Sequence, residues 1–106
     1  MKEREIENYL VRRVREVKGE VRKVKWIGRR GAPDRLVMLP AVPALTGFEL
    51  VGAQPARTIW VELKAPGEKP KQHQVREHER MRAMGQHVEV VDSIEGVELL
   101  MAWGRW

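Results

Sequence analysis

The segment TIWVELKAP, residues 58–66, has the most strand-like composition of this 106-residue chain. Aromatic and β-branched residues fill its first half and Pro66 ends it, a pattern typical of a β-strand. Strand side chains alternate between two faces, so the apolar and the charged residues separate. One face is Ile59, Val61 and Leu63, and the other is Trp60, Glu62 and Lys64. The sequence therefore predicts a strand that presents an acid and an amine beside each other, opposite a core face.

The residues before this strand predict a helix and two further strands. Apolar residues at helical spacing predict a helix from Lys2 to Lys18 that Gly19 ends, with the stripe Ile6, Leu10, Val14 and Val17. Residues 20–27 (EVRKVKWI) and 34–40 (DRLVMLP) predict strands separated by a turn at 28–33. Residues 40–57 form a long connection, with a short hairpin strand expected at 48–51.

The residues after the strand predict a crossover. Pro70 suits the start of a helix over 71–84 that Gly85 ends, HVEVVD at 87–92 predicts a fourth strand, and Ser93 is placed to cap a last helix. The order α-β-β-β-α-β-α favours a single α/β domain over residues 1–106. The strand, helix and strand that follow one another imply a parallel pair within a mixed sheet.

Composition narrows the class of protein. The chain is 42% hydrophobic and 33% charged, and it has no cysteine, which excludes disulfides, thiolate nucleophiles and cysteine zinc sites. No apolar run approaches the roughly 18 residues that a membrane span needs, and the charged amino terminus does not resemble a signal peptide. We expect a cytoplasmic protein with no membrane partner.

Positive charge is concentrated in the first third of the chain. The net charge is +5, and residues 1–30 hold eleven Lys or Arg against five Glu, whereas the remaining residues hold nine against ten acids. Such a segment is either a solvated basic helix face or a surface that binds phosphates.

An acid at the start of one strand complements the charged face of the next. If the strands that begin at Asp34 and at Thr58 pair, Asp34, Glu62 and Lys64 can converge. Two carboxylates with the Leu63 backbone carbonyl suit Mg²⁺ or Mn²⁺, and a lysine can assist a metal-bound water in phosphodiester hydrolysis. The alternatives are that Asp34 is only a turn residue, and that Glu62 and Lys64 form an exposed ion pair.

Several segments together resemble a known nuclease family. GRRGAPDRLVMLP (28–40), IWVELKAPGEKPKQHQVREHERMRAMG (59–85) and VEVVDS (88–93), with EREIENYLVRRV (3–14), are similar to the virus-type replication-repair nuclease (VRR-NUC) domain of the PD-(D/E)XK superfamily. The resemblance implies a restriction-endonuclease-like fold and a Mg²⁺- or Mn²⁺-dependent DNA endonuclease. The connection at 40–57 is longer than the family pattern, which leaves its role open.

The resemblance also assigns roles to residues. It implies that Asp34 and Glu62 bind metal, that Lys64 is the catalytic lysine, and that Gln74 positions water or phosphate. It further implies that Glu7 completes the metal site or holds a second metal. Within the sequence alone, Glu3 and Glu5 compete with Glu7, and Gln72 competes with Gln74.

Other polar and aromatic residues allow two interpretations each. Four cations flank the proposed site in its loops and suit phosphate contacts: Arg29, Arg30, Lys69 and Lys71. His78 is either a hydrogen-bonded residue at the edge of the core or a neighbour of the site, and no histidine pair has zinc-ligand spacing. Trp103 and Trp106 either cap the core or form a dimer contact.

Standalone members of the family resemble junction-resolving nucleases, which implies a homodimer that cuts four-way (Holliday) junctions. A flap-cutting or nicking nuclease of the same chemistry is the nearest alternative. A non-catalytic DNA-binding module is the alternative from another class.

Overall fold

The seven predicted elements are present in the predicted order in a computed structural model, which describes residues 1–42 and 54–102. They are α1 (Glu3–Glu16), β1 (Glu20–Lys23), β2 (Arg35–Leu39), β3 (Arg57–Leu63), α2 (Gln72–Ala83), β4 (Val88–Val91) and α3 (Ile94–Ala102). The hairpin strand predicted at 48–51 and the tail residues Trp103 and Trp106 lie outside the described residues. No helix within the two described ranges is long and apolar enough to cross a membrane.

The four strands form one mixed sheet in the order β1-β2-β3-β4. The first two pairings are antiparallel and β3 pairs with β4 in parallel, which confirms the predicted crossover through α2. In the β2–β3 pair, Arg35 lies opposite Val61. The same register continued by one residue brings Asp34 opposite Glu62.

A bridge closes the connection between β2 and β3. Val42 and Gln54 exchange two backbone hydrogen bonds, with N···O distances of 2.8 and 2.7 Å. The two residues therefore meet in antiparallel pairing beyond the end of the strands.

The core lies between the sheet and the helices α1 and α3. Its buried residues come from α1, β2, β3, β4 and α3: Ile6, Leu10, Val14, Val37, Leu39, Ile59, Val61, Leu63, Val91, Val97, Leu100 and Met101. Each large aliphatic side chain buried in this way contributes about 1.5–3 kcal/mol. Helix α2 lies by the other face of the sheet, the one that carries Glu62.

A charged network joins α1 to α3. The Glu98 carboxylate accepts hydrogen bonds from the Tyr9 hydroxyl (2.6 Å) and from Nε of Arg13 (2.7 Å). The Arg13 bond, with that from Tyr9, lowers the pKa of Glu98 to about 2. The sequence pattern does not reveal this contact, because Glu98 is 85 residues from Arg13 in the chain.

The end of α1 differs from the prediction. Lys18, and not Gly19, takes the left-handed conformation (φ 69°) that closes the helix. The N–H of Lys18 bonds to the Arg15 carbonyl and that of Gly19 to the Val14 carbonyl, which is the Schellman arrangement. Gly19 is required for another reason, because a Cβ there would overlap the Met38 carbonyl oxygen and lie 2.9 Å from Val14 Cγ1.

The first strand is shorter than predicted. It ends at Lys23, although the Val24 N–H still bonds to the Asp34 carbonyl at 2.9 Å. Ile27, which the alternating pattern assigned to the strand, is 93% exposed in the following loop.

The helix terminus leads to a paired prediction about stability. A glycine adopts positive φ without the steric cost that a lysine incurs, so Lys18→Gly should raise the free energy of unfolding by up to about 1 kcal/mol. Gly19→Ala should lower it by about 1–3 kcal/mol, because a methyl group has no space. Urea unfolding of both variants measures the two values. A stabilising Gly19→Ala would contradict the close approach of Gly19 to β2.

Candidate active site

Asp34 and Glu62 form a pair of acids across two neighbouring strands. Asp34 directly precedes β2 and its side chain is 58% exposed, whereas Glu62 lies inside β3 and is 9% exposed. Lys64, two residues beyond Glu62, is 8% exposed, and its Nζ lies 3.8 Å from Glu68 Oε1. The alternative of an exposed ion pair is therefore wrong, because Glu62 and Lys64 are both buried.

The surroundings of Glu62 disfavour its charge. The pKa of Glu62 is raised to about 7, chiefly by burial and then by the Asp34 carboxylate; Glu3 also raises it, whereas Lys64 and Arg35 lower it. A carboxyl group with such a pKa exchanges its proton near neutral pH. The site therefore has a deficit of positive charge.

Arg35 links the acid at the start of β2 to the first helix. Its Nε donates to Glu7 Oε2 at 2.7 Å, and its Nη1 lies 3.0 Å from Asp34 Oδ1. Arg35 lies opposite Val61 and so faces α1, on the other side of the sheet from Glu62. Glu7, which the resemblance makes a metal ligand, is bound to Arg35 in this structure, while the charge of Glu3 reaches Glu62.

Two carboxylates and one backbone carbonyl are the donor groups that suit a hard divalent cation here. A larger cluster does not supply the site, because within residues 1–42 and 54–102 no group of three or more His, Cys, Asp or Glu side chains is arranged to hold a metal. The Asp34 and Glu62 carboxylates and the Leu63 backbone carbonyl are oxygen donors, and Mg²⁺ commonly takes one or two carboxylates and keeps several waters. The raised pKa of Glu62 supports the fit, because a cation would stabilise the ionised pair.

His78 is a buried neighbour of Glu62. It is 1% exposed, and its Nε2 lies 3.9 Å from Glu62 Oε1 with no hydrogen-bond partner among the described residues. Burial lowers the pKa of His78, and the ring bonds to the Gly31 backbone. His78 is therefore a buried residue with one ring nitrogen hydrogen-bonded to the protein, and its other ring nitrogen lies beside Glu62. The i, i+4 spacing from Gln74 was the signal for its place near the site.

The loop before Asp34 packs on the first turn of α2. Gly31 has φ 87°, and a Cβ there would lie 2.8 Å from the His73 carbonyl oxygen. Arg29 in the same loop bonds through Nε to Glu77 Oε2 at 2.8 Å. Glu77 is buried, and Arg29 followed by Arg80 lowers its pKa against the effect of burial. The sequence does not predict the burial of Glu77 or its contact with Arg29, because its spacing in α2 does not distinguish it from an exposed acidic residue of a helix.

Gln74 has a structural contact of its own. Its Oε1 accepts a hydrogen bond from the Lys71 N–H at 2.8 Å, as in a capping box at the start of α2. This bond distinguishes Gln74 from Gln72. The role of Gln74 toward water or phosphate stays a prediction.

A group of cations surrounds His73 at the same end of α2. Burial lowers the pKa of His73, as do the charges of Arg30, Lys71, Arg76 and Lys64. Arg30, Lys69 and Lys71 are exposed, whereas Arg29 is held by Glu77. The sequence did not identify Arg76 as a member of this group, because its position on a helix surface is that of any exposed arginine.

The chain has extensive similarity to known proteins, although no protein-family model matches it. The chain is similar to "Putative nuclease p44" of Acyrthosiphon pisum secondary endosymbiont phage 1. The two are 42% identical over 102 residues, which span 96% of this chain and 95% of that protein. It is also similar to a solved structure described as "VRR_NUC domain", with 37% identity, a TM-score of 0.74 and 98% coverage of both chains.

The raised pKa of Glu62 gives a pH-dependent prediction. The folded state keeps the Glu62 proton up to about pH 7, while the unfolded state loses it near 4.5, so stability should decline as pH rises between these values. Glu62→Gln should remove that decline and be more stable than wild type at pH 8 by about 1–2 kcal/mol. Urea unfolding of both proteins at pH 5 and pH 8 without metal measures the difference. Equal pH dependence in both would contradict the assignment.

Proposed function

The chain belongs to the VRR-NUC family, and we propose that it is a divalent-metal-dependent endonuclease that hydrolyses phosphodiester bonds in branched DNA. The observation that supports this most directly is the register that pairs the Asp34 and Glu62 positions, with Lys64 on the face of Glu62. A deficit of positive charge at a carboxylate pair is the condition under which a divalent ion binds.

The residues have distinct tasks in this proposal. Asp34, Glu62 and the Leu63 carbonyl would hold Mg²⁺ or Mn²⁺, and the bound ion supplies a water of lowered pKa and charge neutralisation at the phosphate. Lys64 is largely buried, and its ammonium group would act on the attacking water and the phosphate oxygens. Burial strengthens that electrostatic contribution relative to an exposed lysine.

Glu7 and Gln74 act at the border of the site. Glu7 holds Arg35 through the 2.7 Å bond, and Arg35 in turn contacts Asp34, so Glu7 orients the acid at the start of β2. Glu7 would complete the metal site once its carboxylate releases Arg35. Gln74 keeps an amide NH₂ group that can donate to a phosphate oxygen.

The cations by α2 bind the DNA backbone. Arg30, Lys69 and Lys71 are exposed near the first turn of α2, and Arg76 adds to the same positive field. Contacts to phosphates fix the position of DNA without reading its sequence. Arg29 contributes through its exposed part while Glu77 fixes its orientation.

We infer that the preferred substrate is a four-way junction. A junction offers two equivalent strands, and a protein of this size supplies two sites when two copies pair about a two-fold axis. A flap-cutting or nicking enzyme would use the same chemistry on a single strand, and comparison of substrates separates these functions.

Cleavage by variants tests the site. Labelled junction, flap and linear duplex are incubated with Mg²⁺ or Mn²⁺, and we expect cleavage of the junction to be the fastest. Glu62→Gln and Lys64→Met should each reduce the rate at least about 100-fold, because each removes a group that acts on the developing charge. Glu95→Gln changes an exposed glutamate on α3 and is the matched control, expected to leave the rate unchanged.

Two results would contradict the assignment. Cleavage that persists in both variants would exclude Glu62 and Lys64 as the site. Binding that weakens steeply with salt but yields no product with either metal would instead identify a DNA-binding module.

The dimer is a separate prediction. Sedimentation at the enzyme concentration used for cleavage should give a dimer, either alone or on a junction. Because paired incisions need two sites, a monomer under both conditions would exclude the two-fold arrangement and favour a flap-cutting or nicking function.

A further inference from the structure

Ile27 is the most exposed large apolar side chain among residues 1–42 and 54–102, at 93%. A single exposed apolar residue is ordinary on a protein surface and needs no explanation by itself. Ile27 differs from the other exposed apolar residues in three respects. They are the way its loop is held, the charges beside it, and the position of that loop next to the cleft that contains Asp34.

The loop that presents Ile27 is held at both ends. Nε1 of Trp26 donates to the Pro33 carbonyl at 2.8 Å, which ties the outgoing and returning segments together. The Trp26 ring lies against Trp60 of β3, with centroids 5.2 Å apart and planes tilted by 47°. Gly28, at φ 73°, makes the turn that follows Ile27. A side chain presented from a fixed loop loses little conformational entropy when it binds.

Cations flank the apolar tip. Lys25, Arg29 and Arg30 are the charged residues nearest to Ile27 in the chain, and all three are exposed. Nucleic acid has phosphates on its outside and apolar base stacks within, so an apolar tip between cations matches that combination. An apolar protein surface would match Ile27 but not its charged neighbours.

The loop borders the proposed active site. A cleft of about 570 Å³ has Trp26 and Asp34 in the same lining, together with Lys23 and Lys25. The surface that leads to the acid at the start of β2 therefore begins at the base of the Ile27 loop. DNA that reaches Asp34 along this cleft therefore passes the base of the loop that carries Ile27.

We propose that Ile27 is an apolar wedge that inserts at a DNA branch point beside the strand to be cut, while Lys25 and Arg30 contact the flanking phosphates. This inference rests on the proposed nuclease function and concerns its choice of substrate. Insertion into a continuous duplex requires unstacking of a base step, whereas a branch point already interrupts the stack. The wedge therefore favours branched over linear DNA.

The test compares Ile27→Ser with Ile27→Leu, which keeps an apolar side chain. We expect Ile27→Ser to lower kcat/KM on a four-way junction about tenfold or more, with little change on linear duplex, and Ile27→Leu to restore most of the rate. Met84→Ser, at another exposed apolar residue, is the control and should leave both rates unchanged.

Junctions with 2-aminopurine at the branch point report unstacking as a rise in fluorescence. They are bound by the Glu62→Gln protein, with and without Ile27→Ser, so that the DNA stays uncut.

The outcomes separate this inference from the proposed function. A fluorescence rise that Ile27→Ser abolishes supports the wedge. Fluorescence and cleavage that are the same with and without the Ile27→Ser substitution would overturn the wedge and leave the nuclease intact. An equal loss of rate on junction and duplex, or a loss of self-association with unchanged fluorescence, would also overturn it. Absence of metal-dependent cleavage by wild type would reject the nuclease function, while the fluorescence experiment would still decide on the wedge.

Discussion

The antiparallel register of β2 and β3 is the constraint on which the candidate site depends. It is fixed by backbone hydrogen bonds and by the apolar face that pairs Val37 with Ile59 in the core. A slip of one residue would turn that face away from α1 and α3, so the core itself protects the alignment. The position of Asp34 opposite Glu62 follows from packing on the other side of the sheet. Two acids whose negative charges would repel each other are thus held near each other largely by core packing on the opposite face of the sheet.

A second set of contacts, made by α2, fixes the position of Asp34. Gly31 packs on the His73 backbone, the His78 ring bonds to the Gly31 backbone, and Arg29 is bound to Glu77. The loop before Asp34 is therefore fastened to α2 at several points. Since α2 also carries Gln74 and Arg76, Asp34 keeps a fixed position relative to these two side chains. Preorganisation of this kind removes the cost of arranging charges during a reaction.

Local patterns predicted the elements of the fold well, because each depends on neighbours in sequence. The stripe of α1, the alternation in β3 and the Ser93 cap of α3, whose hydroxyl accepts from the Gly96 N–H at 2.9 Å, are of this type. The shared face of Glu62 and Lys64 follows from the two-residue period alone.

Tertiary partners could not be predicted in the same way. Glu7 meets Arg35 and Glu77 meets Arg29 across 28 and 48 residues, and no periodicity encodes such pairs. The prediction that Gly19 ends α1 was wrong for a related reason. Gly19 is adjacent to the position that favours glycine, and its actual requirement, close approach to β2, becomes visible only once the strand lies beside it.

The bridge between Val42 and Gln54 lies between the long connection and the paired strands β2 and β3, so their register does not depend on the connection. Eleven residues separate these two positions in the sequence, and two backbone hydrogen bonds join the positions themselves, so a change in the number of residues between them leaves the bridge and the strands in place. The free-energy cost of the entropy lost when the two ends of a loop are brought together rises only slowly with loop length, by roughly 0.6 kcal/mol for each doubling. This point of the chain can therefore accept insertions, deletions or a grafted sequence during evolution or in the laboratory, while Asp34 and Glu62 keep their alignment.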